Sequence, residues 1–304
     1  MTVGVVIPTY NSAHSVKEAI DSALSQEPPP DQLVVVDDGS TDDTSSILKK
    51  YRDHLEHVQQ PNRGPSAARN RGWTQLRTDA VAFLDADDLL LPGGLALRLG
   101  LLTGEKTAWA YTEGLLQDAT GTRWPFSKTY PPVTDLDRNS IFPTLLCRSF
   151  ITASAMIVRR EALQAIGGFD ESIKGTEDWD LALRLAIQGL AKYSPEPTFI
   201  QRLTPNSLSS NRGAMDRMRC TTLVRIHQRY PAKVRSAGLS ARRSVADAYN
   251  WYGYTFASNG RWQEAMSALW TSIRLWPWQC RVPFSFVVSL LRSGLIRRRR
   301  RKVV

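Results

Sequence analysis

Three short apolar runs constrain this chain more than any other feature: Val3–Pro8, Leu33–Val36 and Ala80–Leu84, each leading directly into polar or acidic residues. Such unbroken runs suit strands buried on both faces. The segments between them carry helical patterns. One is predicted over Ala13–Gln26, capped by Asn11 or Ser12, with Val16, Ala19, Ile20, Ala23 and Leu24 on one face and Pro28-Pro29-Pro30 as its stop. Ser40 with Asp43 resembles a capping box for a helix to about Tyr51, a short strand is expected near His57–Gln60, and a further helix from about Ser66 to Leu76. Strands alternating with helices predict βαβ units and a mostly parallel sheet, an α/β fold.

Farther on, Trp109–Thr112 and Ile151–Val158 are expected as strands, with loops near the site between them. Glu161–Ile166 is expected as a short helix ended by Gly167-Gly168, and Glu177–Gln188 as an amphipathic helix with Leu181, Leu185 and Ile187 as core positions. A chain of 304 residues accommodates one or two domains. Its three scattered cysteines argue against a structural zinc site and against a disulfide framework, and fit a reducing cytosol. The opening residues, broken by Pro8 and without a basic stretch, predict no signal peptide. The net charge of +10 is unevenly distributed. Residues 1–205 hold 20 Lys and Arg against 26 Asp and Glu, whereas 206–304 hold 19 against 3. That shift places an expected boundary after residue 205, and gives the second half an anionic membrane or a nucleic acid as candidate neighbour.

Ligands of open α/β sheets sit at the carboxyl ends of the strands, so Asp37/Asp38 and Asp85/Asp87/Asp88 are expected at one crevice. Three carboxylates within four residues repel one another, and a hard divalent cation with phosphate oxygens relieves that repulsion. A solvated turn with Asp88 capping a helix accounts for the same residues. Asp37-Asp38-Gly39-Ser40 serves equally as an ordinary turn. The stretch Gln60–Asn70 is basic and opens a helix, which suits phosphate, or else its arginines pair with nearby acids. Glu177-Asp178 at a helix start offers a general base, or a carboxylate favoured there by the helix dipole.

The blocks together are more specific than any one alone. In order they are Val5-Val6-Ile7-Pro8-Thr9-Tyr10-Asn11, Val35-Val36-Asp37-Asp38-Gly39-Ser40-Thr41-Asp42, Asn62-Arg63-Gly64 with Ala67-Ala68-Arg69-Asn70, Phe83-Leu84-Asp85-Ala86-Asp87-Asp88, and Gly167-Gly168-Phe169-Asp170 with Thr176-Glu177-Asp178-Trp179-Asp180. This series resembles family 2 glycosyltransferases of the GT-A fold over about residues 1–205. The resemblance implies a mixed, mostly parallel, Rossmann-like sheet flanked by helices. It implies a donor site of Pro8, Thr9, Tyr10, Asn11, Asp38, Arg69, Asn70, Asp85 and Ala86, with Asp38 on a base, most often uracil. Asp85 and Asp87 would form the DxD element, Asp87 ligating Mn²⁺ or Mg²⁺. Asp178 would be the catalytic base of an inverting transfer, with Glu177 and Trp179 on the acceptor side. No processive Q-x-x-R-W element is present, so a single addition is expected, in cell-surface polysaccharide or glycolipid synthesis, onto a saccharide or lipid-linked acceptor.

Two other functions share part of this pattern. A sugar nucleotidyltransferase also needs metal carboxylates, but the loop Pro8–Ser12 has neither glycine nor lysine. Nucleic-acid binding has only the charge in its favour, with no accompanying motif, so no nucleic-acid partner is expected. Beyond Pro205 the chain is expected to be basic and all-α. Residues 248–277 resemble a single tetratricopeptide-type hairpin. The tail, 282–304, joins an apolar stretch too short to span a bilayer to the basic run Arg297–Lys302, which fits an interfacial segment. The expected location is cytoplasmic, peripheral on the inner face of the plasma membrane.

Overall fold

The computed structural model describes residues 1–104, 107–129, 141–203 and 212–278. The tail 282–304 lies outside these residues, as do 204–211 around the expected domain boundary. By internal contacts the chain forms two compact units, Met1–Met218 and a second beginning at Arg219.

In the first unit, strands β1 (Val3–Thr9), β2 (Gln32–Asp37), β3 (Glu56–Gln59) and β4 (Ala80–Phe83) form the parallel part of the sheet, in the order β3-β2-β1-β4. Every residue of β1 is buried, as an apolar run without alternation requires. Val3, Val5 and Ile7 face one side with Ala19, Ile20 and Ala23 of α1 (Val16–Leu24). On the other side α3 (Pro65–Gln75) lies so close that a Cβ on Gly72 would strike Val6. The chain reverses direction across the sheet between β1 and β4, and the strand ends there open a crevice.

Beyond β4 the sheet is mixed, with antiparallel pairs on both sides of β8. It continues through β8 (Met156–Arg159) to β6 (Thr107–Gln117), with β7 (Arg123–Pro125) paired to β6, and ends with β9 (Leu190–Arg202) and the two-residue β5 (Leu89–Leu90). The sheet is mixed and flanked by helices, as expected. β9 forms although Pro195 and Pro197 interrupt it. It pairs in parallel with β6 through several register shifts, which accommodate the missing proline N–H groups. Ile151–Ala155 is not strand; a 3₁₀ turn, Ala153–Ala155, precedes β8. The middle region holds β7, α5 (Phe126–Thr129) and α6 (Ile141–Cys147) rather than loops alone.

Two expected caps are replaced. α1 begins at Val16, because Asn11 and Ser12 bond instead to the entry of α2 (Thr44–Leu48). Ser40 accepts the Asn11 N–H, and Asp42 rather than Ser40 accepts the Thr44 N–H. Helices α4 (Gly94–Leu101), α7 (Arg160–Ile166) and α8 (Glu177–Gln188) complete this unit. α9 (Arg212–Arg229) runs past Met218.

The second unit continues with α10 (Pro231–Ser236), α11 (Leu239–Ser258) and α12 (Trp262–Leu275). α11 and α12 are antiparallel, since Ser272 Oγ donates to Ala246 O at 2.7 Å while Gly253, farther along α11, abuts Leu269. A Cβ on Gly253 would lie 2.8 Å from Leu269 Cγ, so glycine sets the approach of the two helices.

Candidate active site

The crevice at the ends of β1, β2 and β4 is a cleft of about 560 Å³. Nine expected residues line it together: Pro8, Thr9, Tyr10, Asn11, Asp38, Arg69, Asp85, Ala86 and Asp87. Tyr10 stands exposed at its edge. Asn11 has φ +49°, a left-handed conformation that asparagine tolerates, and its side-chain oxygen accepts the Thr41 N–H at 2.8 Å. Asp38 is buried, and three hydrogen bonds converge on its carboxylate, from Gln60 Nε2 (2.7 Å), Arg63 N (2.9 Å) and Gly64 N (2.7 Å). It therefore pins the loop before α3 against the end of β2. Gly39, at φ +81°, permits the close approach, as a Cβ there would lie 2.9 Å from Asn62 N.

The Asp85–Asp88 turn is held by residues that no local pattern identifies. Ser154 Oγ accepts the Asp85 N–H at 3.0 Å and donates to Asp88 Oδ2 at 2.6 Å. Arg202, at the end of β9, donates its N–H to Asp88 Oδ1 at 3.3 Å and its Nε to the Asp87 carbonyl, while Nη1 pairs with Glu18. Asp88 is thus no helix cap; it is a buried strut whose carboxyl is raised well above its usual range by burial and by Asp85 and Asp87. Asp85 is paired with Arg69 at 2.7 Å. Among the described residues, Asp87 is the carboxylate of the three with no hydrogen bond to another side chain. Burial and Asp85 raise it, Arg202 and His14 counteract, and His14 shares the cleft wall.

The described residues contain no cluster of three or more metal-ligating side chains. The donor set still fits a hard cation that takes one or two protein carboxylates and completes its shell with phosphate oxygens. Asp87, which lines the cleft, would be the carboxylate to hold it.

Behind the cleft wall Arg69 is buried between two acids, its Nη2 on Asp85 and its Nη1 3.4 Å from Glu177 Oε1, with its guanidinium 5.3 Å from the Phe169 ring. Burial opposes its charge, but Asp85 and Glu177 outweigh burial and hold it fully protonated. Asp178 does not line the cleft. It is half-buried in the first turn of α8, and its carboxyl is pushed up to about 7 by burial and by Glu177, against the pull of Arg69. A carboxyl that titrates near neutrality suits proton abstraction.

Three of the expected site residues take partners within the fold. Asn70 does not line the cleft. Its amide accepts the Phe169 N–H at 2.8 Å and donates to Phe169 O at 2.9 Å and to Glu171 at 3.1 Å, the pairing a strand would make. It thereby docks the loop that leads to α8, and Gly168 (φ +69°) leaves room, since a Cβ there would strike the Asn70 and Trp73 side chains. Arg184, on α8, holds the same end of this loop, donating to Gly168 O at 2.7 Å and pairing with Asp180. Trp179 is fully buried and donates to Leu145 O at 2.8 Å, so it is core and not an acceptor platform. Glu177 is buried against Arg69 and serves to fix that guanidinium.

Residues 4–167 match the profile of Glycosyl transferase family 2, and residues 135–249 that of Glycosyltransferase like family 2. A Rickettsia typhi protein described as an uncharacterized glycosyltransferase is 32% identical over 182 residues, 59% of this chain and 57% of that protein. The chain spans between 31% and 57% of the lengths of the first curated relatives it matches. Among solved structures, S. aureus TarS 1-349 with UDP-GlcNAc superposes with a TM-score of 0.58 at 18% identity, over 90% of this chain and 92% of that one. The mannosyltransferase PcManGT from Pyrobaculum calidifontis, with GDP-Man and Mn²⁺, gives 0.56 at 19% identity, over 91% and 88%. At these identities the likeness is one of fold, the GT-A fold.

Proposed function

As the chain belongs to glycosyltransferase family 2, we propose that it transfers one sugar, with inversion, from a nucleotide-sugar donor to an acceptor hydroxyl, using Asp178 as base. The observation that carries this reading is the Asp178 carboxyl, held near 7 beside the Arg69–Asp85–Glu177 cluster that borders the cleft. The acceptor hydroxyl loses its proton as it attacks the anomeric carbon, and the ionised form of Asp178 takes that proton. Tyr10, Thr9 and the Asp38-pinned loop bind the nucleoside, with a uracil base as the first choice. Asp85, oriented by Arg69, faces the ribose or sugar. Bound at Asp87, Mn²⁺ or Mg²⁺ would offset the charge that gathers on the departing diphosphate. The acceptor is a saccharide or lipid-linked saccharide of cell-surface polysaccharide or glycolipid synthesis. The basic tail, 282–304, is proposed from its sequence to keep the chain at the cytoplasmic membrane face.

The test is a panel of nucleotide sugars offered with Mn²⁺ to the purified chain, scored by thermal shift and then by released nucleotide. Stabilisation by UDP-sugars and release of UDP are expected. Formation of UTP and a sugar 1-phosphate when pyrophosphate is added with the UDP-sugar would instead identify a nucleotidyltransferase. Indifference to every nucleotide sugar would end the enzymatic reading.

A further inference from the structure

α12 buries one face and displays a second apolar one. Ala265, Ala268, Leu269, Ser272 and Leu275 are its buried positions. Beside them, at intervals of four, come Trp262, Met266, Trp270 and Arg274. Residues four apart are neighbours on a helix, offset by only about 40°, so these four form a continuous strip that starts at the edge of the buried face and winds onto the exposed side. Met266 is 52% exposed and Trp270 59%. A single exposed apolar residue is unremarkable, whereas a contiguous strip marks a contact surface.

Charge indicates what the strip meets. Residues 212–278 carry 11 Lys and Arg against 3 Asp and Glu. The one acid on α12, Glu264, is taken up by Arg261, Nε to Oε2 at 2.7 Å, and points away from the strip. Arg274 lies 5.6 Å from the Trp270 ring, so indole and guanidinium are presented together. Aromatic and thioether groups flanked by arginine, with no acid among them, complement a surface that is anionic outside and apolar beneath. The headgroup region of an anionic bilayer has that order: phosphates for the arginines, the acyl boundary for Trp and Met. Among the described residues no helix is long and apolar enough to cross a membrane, so the contact would lie along the surface.

We propose that the Trp262–Met266–Trp270–Arg274 face of α12 docks on an anionic lipid surface. It is a site in the described residues, separate from the tail, and does not depend on which sugar is transferred. The test uses the full chain and sedimentation with vesicles of phosphatidylcholine, alone or mixed with phosphatidylglycerol. Salt-sensitive binding to the mixed vesicles alone is expected, with Trp fluorescence quenched by brominated lipid. The double variant Met266→Ser, Trp270→Ser should reduce the bound fraction by roughly tenfold or more, while the thermal shift with nucleotide sugar stays unchanged and so reports an intact first unit. Equal binding by the double variant, or no binding by the parent chain, would overturn the proposal. So would a dimer in gel filtration that the double variant dissolves, which would assign the strip to a second copy of the chain.

Discussion

Replacing Asp178 with Asn separates what the site does for chemistry from what it costs the fold. The folded structure holds this carboxyl at about 7 instead of its ordinary 3.8, chiefly by burial and then by Glu177. Between those values the folded state binds more protons than the unfolded chain, so stability falls as pH rises through the window and stays low above it. Each pKa unit corresponds to about 1.4 kcal/mol, and from pH 5.5 to 8.5 the group completes roughly its last one and a half units of titration. Asparagine cannot ionise and escapes this penalty. The stability of Asp178→Asn relative to the parent chain should therefore grow by about 2 kcal/mol between pH 5.5 and 8.5. With a urea slope of about 2 kcal/mol/M, the midpoint difference widens by about 1 M. Tryptophan-monitored unfolding in EDTA at the two pH values measures it. The same variant should lose transfer by about 10²- to 10⁴-fold while still binding donor. A stability difference that ignores pH would refute the raised carboxyl, and near-normal turnover would refute the base.

Other expectations follow from the same contacts. In the parent enzyme, turnover should climb as pH rises through about 7, as Asp178 ionises; a flat profile across that range contradicts it. Asp87→Ala should abolish the response to added Mn²⁺ together with most of the activity, and a fully active, EDTA-resistant variant would reject the metal role. Ser154→Ala strips a partner from the buried Asp88 and from the Asp85 N–H, at about 1–3 kcal/mol; an unchanged melting temperature would show that the turn does not depend on it. Asn70→Ala should lower kcat with donor affinity preserved, because Asn70 docks the loop before α8. Weakened donor binding at normal kcat would restore it to the donor site.

The order of apolar runs and acidic ends in the sequence determined the α/β architecture and brought Asp38, Asp85 and Asp87 to one crevice. Parallel strands joined by right-handed crossovers leave their carboxyl ends on the same side, so strand identity alone places those residues. Residue type and spacing also marked Asp178 at a helix start. Only the tertiary structure decided which of these groups is available for chemistry. Polar groups compete for partners wherever the fold brings them together, and the winners lie far apart in the chain. Ser154 is 66 residues from Asp88, and Arg202 is 114. Asn70 meets the Phe169 backbone 99 residues away. Those contacts leave Asp87 open, turn Asp88 into a strut, tie Asn70 to the loop before α8 and bury Trp179. β9 is likewise decided by tertiary structure: its prolines contradict a strand locally, and pairing with β6 supplies the stabilisation that propensity withholds.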